Sequence, residues 1–327
     1  MVSLFDGKTV SGIGLGTWQL GLKGWGAGYE AKELAEALQT GIKNGLNFID
    51  TAEIYGMGRS ETLIGEATRD LDRKEYLIAT KLAGFNASAR RVKKSLTNSL
   101  GRLKVDHIDL YQVHWEPSIY TDISELFKAL ETEVKEGLIG HIGVSNFSAQ
   151  AIAKANNSMK ETRVESNQIK FNVVERPDSK LLEYMKTNNV KVIGWSPLAQ
   201  GFLSGKYSRD RKPSGGVRRI NKIFSASNFE KYAGVLSVFR RLSEERKASI
   251  VQLILAYEKH LGILPIPGFK NSEQVKELVS ANSLELSTQE ISSIEVSLRE
   301  NAPLETSIGF YPKLLPNFLA RVGFLFI

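Results

Sequence analysis

The stretch LNFIDTAEIYGMGRS, residues 46–60, decides the reading of the fold. Leu46, Phe48 and Ile49 form a short apolar run of buried-strand type, which breaks abruptly into Asp50-Thr51-Ala52-Glu53-Ile54-Tyr55-Gly56. A carboxylate at the carboxyl end of a strand, with a phenol five residues on in a Gly-rich turn, puts two titratable groups at the mouth of a sheet. Parallel α/β folds hold their ligands there. Taken alone, Asp50 as a helix cap and Tyr55 as a rim aromatic account for the same residues. The rest of the chain must decide.

Outward from that stretch, strand-like and helical segments alternate. Residues 2–10 read as a hairpin turning at Asp6-Gly7. A Gly-rich strand (11–18) and a helix (30–44) precede strand 47–49, and a helix near 60–69, capped at Ser60-Glu61, follows it. Strands at 76–80, 107–113, 139–144, 165–169, 190–195 and 263–266 are each followed by a helical pattern, at 88–103, 124–136, 148–156, 179–188, 244–260 and 272–280. One more helix is expected at 287–299. Eight near-continuously apolar strands with helices between them argue a closed parallel (β/α) TIM barrel, with an N-terminal β-hairpin, extra helices and a C-terminal tail (300–327). No composition break marks a linker, so residues 1–327 are expected to form a single domain.

The 327 residues carry 43 Lys+Arg against 36 Asp+Glu, a formal charge of +7 that suits an anionic ligand. The basic residues are spread out, with no arm or aromatic interleaving to argue for nucleic acid. Absence of cysteine excludes disulfides, thiolate metal sites and a cysteine nucleophile. His107, His141 and His260 lack metal-ligand spacing, so no metal is expected. No signal peptide and no membrane-spanning apolar run are seen; a cytoplasmic location without membrane contact is expected, and the greasy tail 314–327 reads as docking on the body.

A barrel places its chemistry at the strand ends. Those positions hold Asp50 and Tyr55, Lys81, His114, Ser145-Asn146, Gln168, Trp195-Ser196, and Gly268 with Lys270. A free tyrosine titrates at about 10 and is a poor acid at neutral pH, but a neighbouring ammonium favours the phenolate and lowers that value. A carboxylate opposite Lys81 holds it charged, and His114 can donate a hydrogen bond to a carbonyl oxygen. Together these groups suit giving a proton to an oxygen that becomes an alkoxide. The reducing electrons must come from elsewhere, and a nicotinamide would supply them.

Taken in order, GIGLGTWQLG (12–21), FIDTAEIYGMGRSETLIGEA (48–67), IATKL (78–82), IDLYQVHWEP (108–117), GLIGHIGVSNF (137–147), ESNQIKFN (165–172), GWSPLAQGFLSGKY (194–207) and IPGFKNSEQV (266–275) resemble the aldo-keto reductases. The wording of the mouth segments is similar to the bacterial and potassium-channel-β-like branch. The resemblance implies NADP(H), with NAD(H) as the other candidate, bound across the barrel mouth without a Rossmann domain. It implies that Asp50, Tyr55, Lys81 and His114 form the catalytic tetrad, with Tyr55 the general acid. Ser145, Asn146 and Gln168 match residues that grip the nicotinamide amide, and Trp195 the aromatic stacked on its ring. Ser196, Leu198, Gln200 and Gly201 fall along the pyrophosphate, and Lys206, Gly268, Lys270 and Gln274 toward the adenosine end. A departure is Leu278, which stands where an adenine-contacting Asn is common.

The basic run 206–222 reads either as a solvated loop or as a lid over the pyrophosphate. Gly12-Ile13-Gly14-Leu15-Gly16 lacks G-x-G-x-x-G spacing and reads as close-packed backbone beside the substrate mouth. Trp18, Trp25, Tyr29, Trp115 and the pair Phe310-Tyr311 are candidates for an aromatic pocket around Tyr55. The expected function is reduction of a small-molecule aldehyde or ketone. The alternatives are a cofactor-binding regulatory or sensor subunit with little turnover, and a Schiff-base enzyme using Lys81. The sequence leaves monomer and homo-oligomer undecided.

Overall fold

The computed structural model describes residues 2–5, 8–21, 30–213 and 221–301. The Asp6-Gly7 turn, Trp25, Tyr29, Arg218, Arg219, Phe310-Tyr311 and the tail lie outside them. Strands β1 (Val2–Phe5) and β2 (Lys8–Val10) pair antiparallel as expected. Eight parallel strands follow: β3 (Leu15–Gly16), β4 (Phe48–Asp50), β5 (Leu77–Leu82), β6 (Ile108–Val113), β7 (Ile139–Ser145), β8 (Val164–Lys170), β9 (Lys191–Trp195) and β10 (Ile263–Pro265). Each pairs with its sequence neighbour.

The barrel closes between its first and last strands. Gly14 N donates to Pro265 O at 2.9 Å and Gly16 N to Pro267 O at 3.0 Å. A Cβ on Gly16 would lie 2.6 Å from Ile266 O, so a side chain there would hold the seam open. The glycines of 12–16 are close-packed backbone, as expected, but their work is barrel closure. Inside, Phe48, Leu77, Ala79, Leu110, Ile193, Leu264 and Ile266 form an apolar plug together with Val10 of the hairpin.

Ten helices are described: α1 (Ala31–Lys43), α2 (Arg59–Ala67), α3 (Ala89–Leu103), α4 (Ile123–Lys135), α5 (Ala149–Ser158), α6 (Ser179–Thr187), α7 (Ala226–Arg246), α8 (Ile250–His260), α9 (Ser272–Ser283) and α10 (Thr288–Glu300). On α3, Val92, Leu96, Ser99 and Leu103 recur at helical spacing and are buried on one face. Two expectations are corrected. Ser60 does not cap α2: Gly58, with φ +90°, stands at that position, and Ser60 is buried with its hydroxyl tied to Thr17 O and Thr51 Oγ1. The single helix expected at 244–260 is two. Lys247 adopts φ +50°, and Ser249 with Gln252 builds a reciprocal capping box that starts α8 afresh. The stripe Tyr232, Val235, Leu236, Phe239 and Leu242 makes α7 helical back to residue 226, although interleaved Ser, Asn and Gly weaken its pattern.

Glu258, on α8, is fully buried, and neither carboxyl oxygen finds a hydrogen-bond partner among the described residues. Burial pushes its carboxyl well above the ordinary 4.5, with Arg176 opposing. A raised folded-state value contributes stability below the unfolded pKa and loses it as pH rises toward the folded one. Glu258→Met is therefore expected to raise Tm more at about pH 8 than at about pH 4.5. Thermal melts at the two pH values test this; an equal or negative change at the higher pH contradicts it.

Candidate active site

Asp50 ends β4 and is 2% exposed, while Lys81, on β5, is completely buried. Lys81 Nζ donates to Asp50 Oδ1 at 2.6 Å, to Thr51 O at 2.7 Å and to Tyr55 Oη at 3.3 Å. Lys81 lies within its strand, one residue beyond the end expected for it, and its inward side is fixed by the pleat. Its ammonium thus sits between a carboxylate and a phenol. Burial lowers the Lys81 pKa, and Asp50 is the main opposing influence.

Tyr55 is held by a tight turn. Gly56 takes φ +58°, and a Cβ there would lie 2.3 Å from Gly21 O. That close approach brings the turn carrying Trp18 against the one carrying Tyr55. The two rings stack at 5.7 Å with an interplanar angle of 6°. Tyr55 as a residue is partly exposed, but its hydroxyl is enclosed. Burial first, and then Asp50, push the phenol well above its ordinary 10.0. This reverses the expected direction, because the enclosed hydroxyl is cut off from water and the Asp50 charge adds to that effect. The phenol is a proton-loaded group at neutral pH.

His114 follows β6 directly, anchored by its backbone N–H on Leu82 O at 2.9 Å. Its ring meets Tyr55 edge-on at 5.7 Å and packs 5.0 Å from Trp115. Burial and then the Lys81 charge hold the imidazole well below 6.5, hence neutral. Its Nδ1 is buried without a hydrogen-bond partner among the described residues. Trp115 is itself buried against Phe85, and Gly84 makes the room: a Cβ there would lie 2.1 Å from Trp115 Nε1.

Across the mouth, Ser145 ends β7 and donates to Gln168 O at 2.8 Å. Asn146, with φ +56°, donates through Nδ2 to Ser145 Oγ at 2.9 Å and accepts Trp195 Nε1 on Oδ1 at 3.0 Å. The indole at the end of β9 is thereby fixed beside this polar group. Gln168 turns into the barrel, where Nε2 donates to Asp50 Oδ2 at 2.7 Å. Beyond Trp195, Ser196, Ala199, Gln200 and Gly201 all take positive φ, and Leu198 packs on the core. Asn221 Nδ2 donates to Gln200 Oε1 at 3.1 Å, tying the far end of the 206–222 stretch to this loop. Lys206 Nζ lies 5.1 Å from the centre of the Tyr207 ring.

Gly268 bridges to Gly16 at the barrel seam, and a Cβ there would collide with the Gln19 amide. Gln274 accepts the Lys270 backbone N–H on Oε1 at 2.9 Å, shaping the entry to α9. Leu278 is buried in the core rather than turned toward the mouth. Asp50, Tyr55, Lys81, His114 and Gln168 are thus brought together with Trp18 and Trp115. Lys206, Gly268 and Lys270 stand in the loops after β9 and β10, and Gln274 in the first turn of α9. His107 bonds Gly137 O and His141 pairs with Glu165, and no group of three metal-type ligands occurs among the described residues. None of the described helices is long and apolar enough to cross a membrane.

Two residues with a part in this geometry escape the reading of strand ends. Glu53 accepts from Ala83 N at 2.7 Å and Asn86 Nδ2 at 2.9 Å, clamping the loop after β5 to the one carrying Tyr55. Gln112, on β6, reaches Asp50 Oδ2 at 3.4 Å. Its position two residues before His114 is the available signal, since that parity faces the interior.

The description of the Aldo/keto reductase family matches residues 12–299, and the chain belongs to that family. It is 30% identical over 304 residues to an NADH-specific methylglyoxal reductase of Escherichia coli, covering 85% of this chain and 92% of that protein. Among solved structures it resembles a glycerol dehydrogenase from Gluconobacter oxydans, with a TM-score of 0.81 and 28% identity over 94% of this chain and 97% of the other. It also resembles an aldo-keto reductase from Klebsiella pneumoniae in complex with NADPH, with a TM-score of 0.72 and 26% identity over 91% and 95% of the two chains.

Proposed function

We propose that this chain reduces an aldehyde or ketone to an alcohol with NADP(H), and that NAD(H) is the competing cofactor. The observation that carries the reading is the Lys81 ammonium, buried between the Asp50 carboxylate and the Tyr55 hydroxyl. In a packed barrel such a charge has no structural need, and burying it is costly unless it is paired.

The residues present fit a nicotinamide. Trp195 offers a partly exposed ring face fixed by Asn146, beside the hydroxyl of Ser145 and the amide of Asn146, the donor and acceptor types a carboxamide needs, whereas Gln168, whose Nε2 is held on Asp50, has its Oε1 to offer. The 196–201 loop, with Ser196, Leu198, Gln200 and Gly201, would follow the pyrophosphate. Gly268 and Gln274 would flank the adenosine end. Lys206 and Lys270 are the cations to meet a 2′-phosphate, which favours NADP(H); the NADH-specific relative keeps NAD(H) in contention.

A reduced nicotinamide, when bound, supplies the hydride. The residues of the chain handle the oxygen. His114, neutral, donates a hydrogen bond that orients the carbonyl. Tyr55 holds its proton until charge develops on that oxygen, then delivers it; Lys81 stabilises the phenolate left behind, and Asp50 keeps Lys81 in place. Trp18 and Trp115 flank the Tyr55–His114 pair with aromatic faces, which favours carbonyls carrying an apolar or aryl group. Trp25, the remaining pocket candidate, lies outside the described residues.

The reading is tested by titrating the protein with NADPH and NADH while following Trp fluorescence, then recording cofactor absorbance on adding a panel of aldehydes. Quenching with NADPH and turnover on several aldehydes is expected. Binding without turnover on any carbonyl overturns the reductase reading in favour of a sensor or subunit.

A further inference from the structure

We propose that Gln112 and Gln168 form a buried amide clamp on the second oxygen of Asp50, making Gln112 a positioning residue that aims the Lys81 ammonium at Tyr55. The inference rests on the reading of Tyr55 as proton donor and adds to it a residue that touches neither substrate nor cofactor.

The argument starts from the lone pairs of one carboxylate. Asp50 is sealed in the barrel, and Oδ1 receives Lys81 at 2.6 Å. Oδ2 points away from that contact, and an ionised oxygen left bare in such a place is costly. Gln168 Nε2 donates to it at 2.7 Å and Gln112 Nε2 at 3.4 Å, while Gln168 Nε2 also lies 3.4 Å from Gln112 Oε1. The amides are therefore coupled to each other as well as to the carboxylate. Among the described residues, the other carboxylate acting on Lys81 is Glu61, itself bound by Thr80 Oγ1 at 2.6 Å and Arg102 Nε at 2.7 Å.

The architecture explains why these residues meet. Asp50, Gln112 and Gln168 lie on β4, β6 and β8, and alternate strands of a parallel barrel send side chains into one shared layer. Two residues below them, Phe48 and Leu110 belong to the apolar plug. On β8 the matching position holds the buried Ser166, so the interior passes from mostly apolar to polar toward the layer that carries Asp50. Room for Gln112 is made by Gly143 on β7: a Cβ there would lie 2.8 Å from Gln112 Cγ and 2.6 Å from Ser166 Oγ. An amide completely buried among strands, with space cleared for it by a glycine, is placed for its contact with Asp50.

With the clamp in place, the N–H groups share the charge of Asp50, and Lys81 keeps enough of its own field to act on Tyr55. Without Gln112, Asp50 acts more strongly on both neighbours, and its effect on each is to raise the pKa. The test is Gln112→Met, which keeps length and removes the donor, compared with wild type in two measurements. The first is the titration of Lys81 in the cofactor-free protein by ¹³Cε–¹⁵Nζ NMR, assigned with Lys81→Met. Its midpoint is expected to rise by about one unit. The second is the pH dependence of carbonyl reduction: kcat falls about tenfold with KM little changed, and the alkaline limb moves to higher pH.

Unchanged titration and unchanged alkaline limb in a folded Gln112→Met protein overturn the proposal. If that variant does not fold, Gln112→Glu decides. Its buried carboxyl donates when protonated, so turnover relative to wild type should recover as pH falls; no such recovery counts against the clamp. The NMR titration uses neither cofactor nor substrate. A wild-type protein that reduces no carbonyl therefore defeats the functional reading, while the titration still judges the clamp.

Discussion

Tyr55→Phe is expected to lower carbonyl turnover by about 10²–10⁴-fold while leaving cofactor affinity within about twofold of wild type. The substitution removes one oxygen and keeps the ring that stacks on Trp18 and meets the His114 edge. What disappears is the single group positioned to hold a proton beside the Lys81 ammonium. His114 cannot take over as proton donor, because burial and Lys81 keep it neutral. Steady-state kinetics with a reactive aldehyde, alongside a fluorescence titration with NADPH, separate the two quantities. Retained turnover contradicts the assignment of Tyr55, and loss of both binding and turnover points to damage to the mouth rather than to chemistry.

Lys81→Met carries the second large effect, and it falls on stability as well as activity. The side chains are of similar length, so the cavity term is small. Removal of the ammonium leaves the Asp50 carboxylate buried with, among the described residues, only the Gln168 and Gln112 amides as side-chain partners. Breaking a buried pair from one side costs about 3–5 kcal/mol. The double variant Asp50→Asn with Lys81→Met removes the stranded charge and should regain most of that loss in denaturant unfolding. It should not regain turnover, since no cation then faces Tyr55. Equal stability of the single and double variants contradicts the view that the ion pair is desolvated and coupled. Recovery of turnover in the double variant contradicts the view that the ammonium supports the phenolate.

Much of this is legible in the amino-acid sequence. The strand runs are short, β-branched or aromatic, and interrupted by turn residues, so the alternation around residues 46–60 is read directly. Strand ends then carry the positions of Asp50, Tyr55 and His114, because barrel topology leaves few places for them. Four features are harder to read, each for a physical reason. The apolar stripe of α7 is diluted by polar and small residues, so all of it before residue 244 reads as loop. Ser60 looks like a helix cap by type, but tertiary contacts to the loops of Thr17 and Thr51 claim its hydroxyl. The direction of the Tyr55 shift is set first by burial of its hydroxyl and then by the Asp50 charge, and spacing along a chain encodes neither. Gln112 shows the same limit: its parity is readable, but a donor reaching across the barrel to β4 is not.

Hydride transfer itself is the claim on which the rest depends. The most direct measurement is mass analysis of the alcohol formed from an aldehyde when the protein is supplied with nicotinamide cofactor deuterated at the transferring C4 position. One deuterium on the carbinol carbon, with the hydroxyl proton exchanging with solvent, is the predicted result. An alcohol without deuterium on that carbon, or no alcohol from a protein that binds the cofactor, would contradict it.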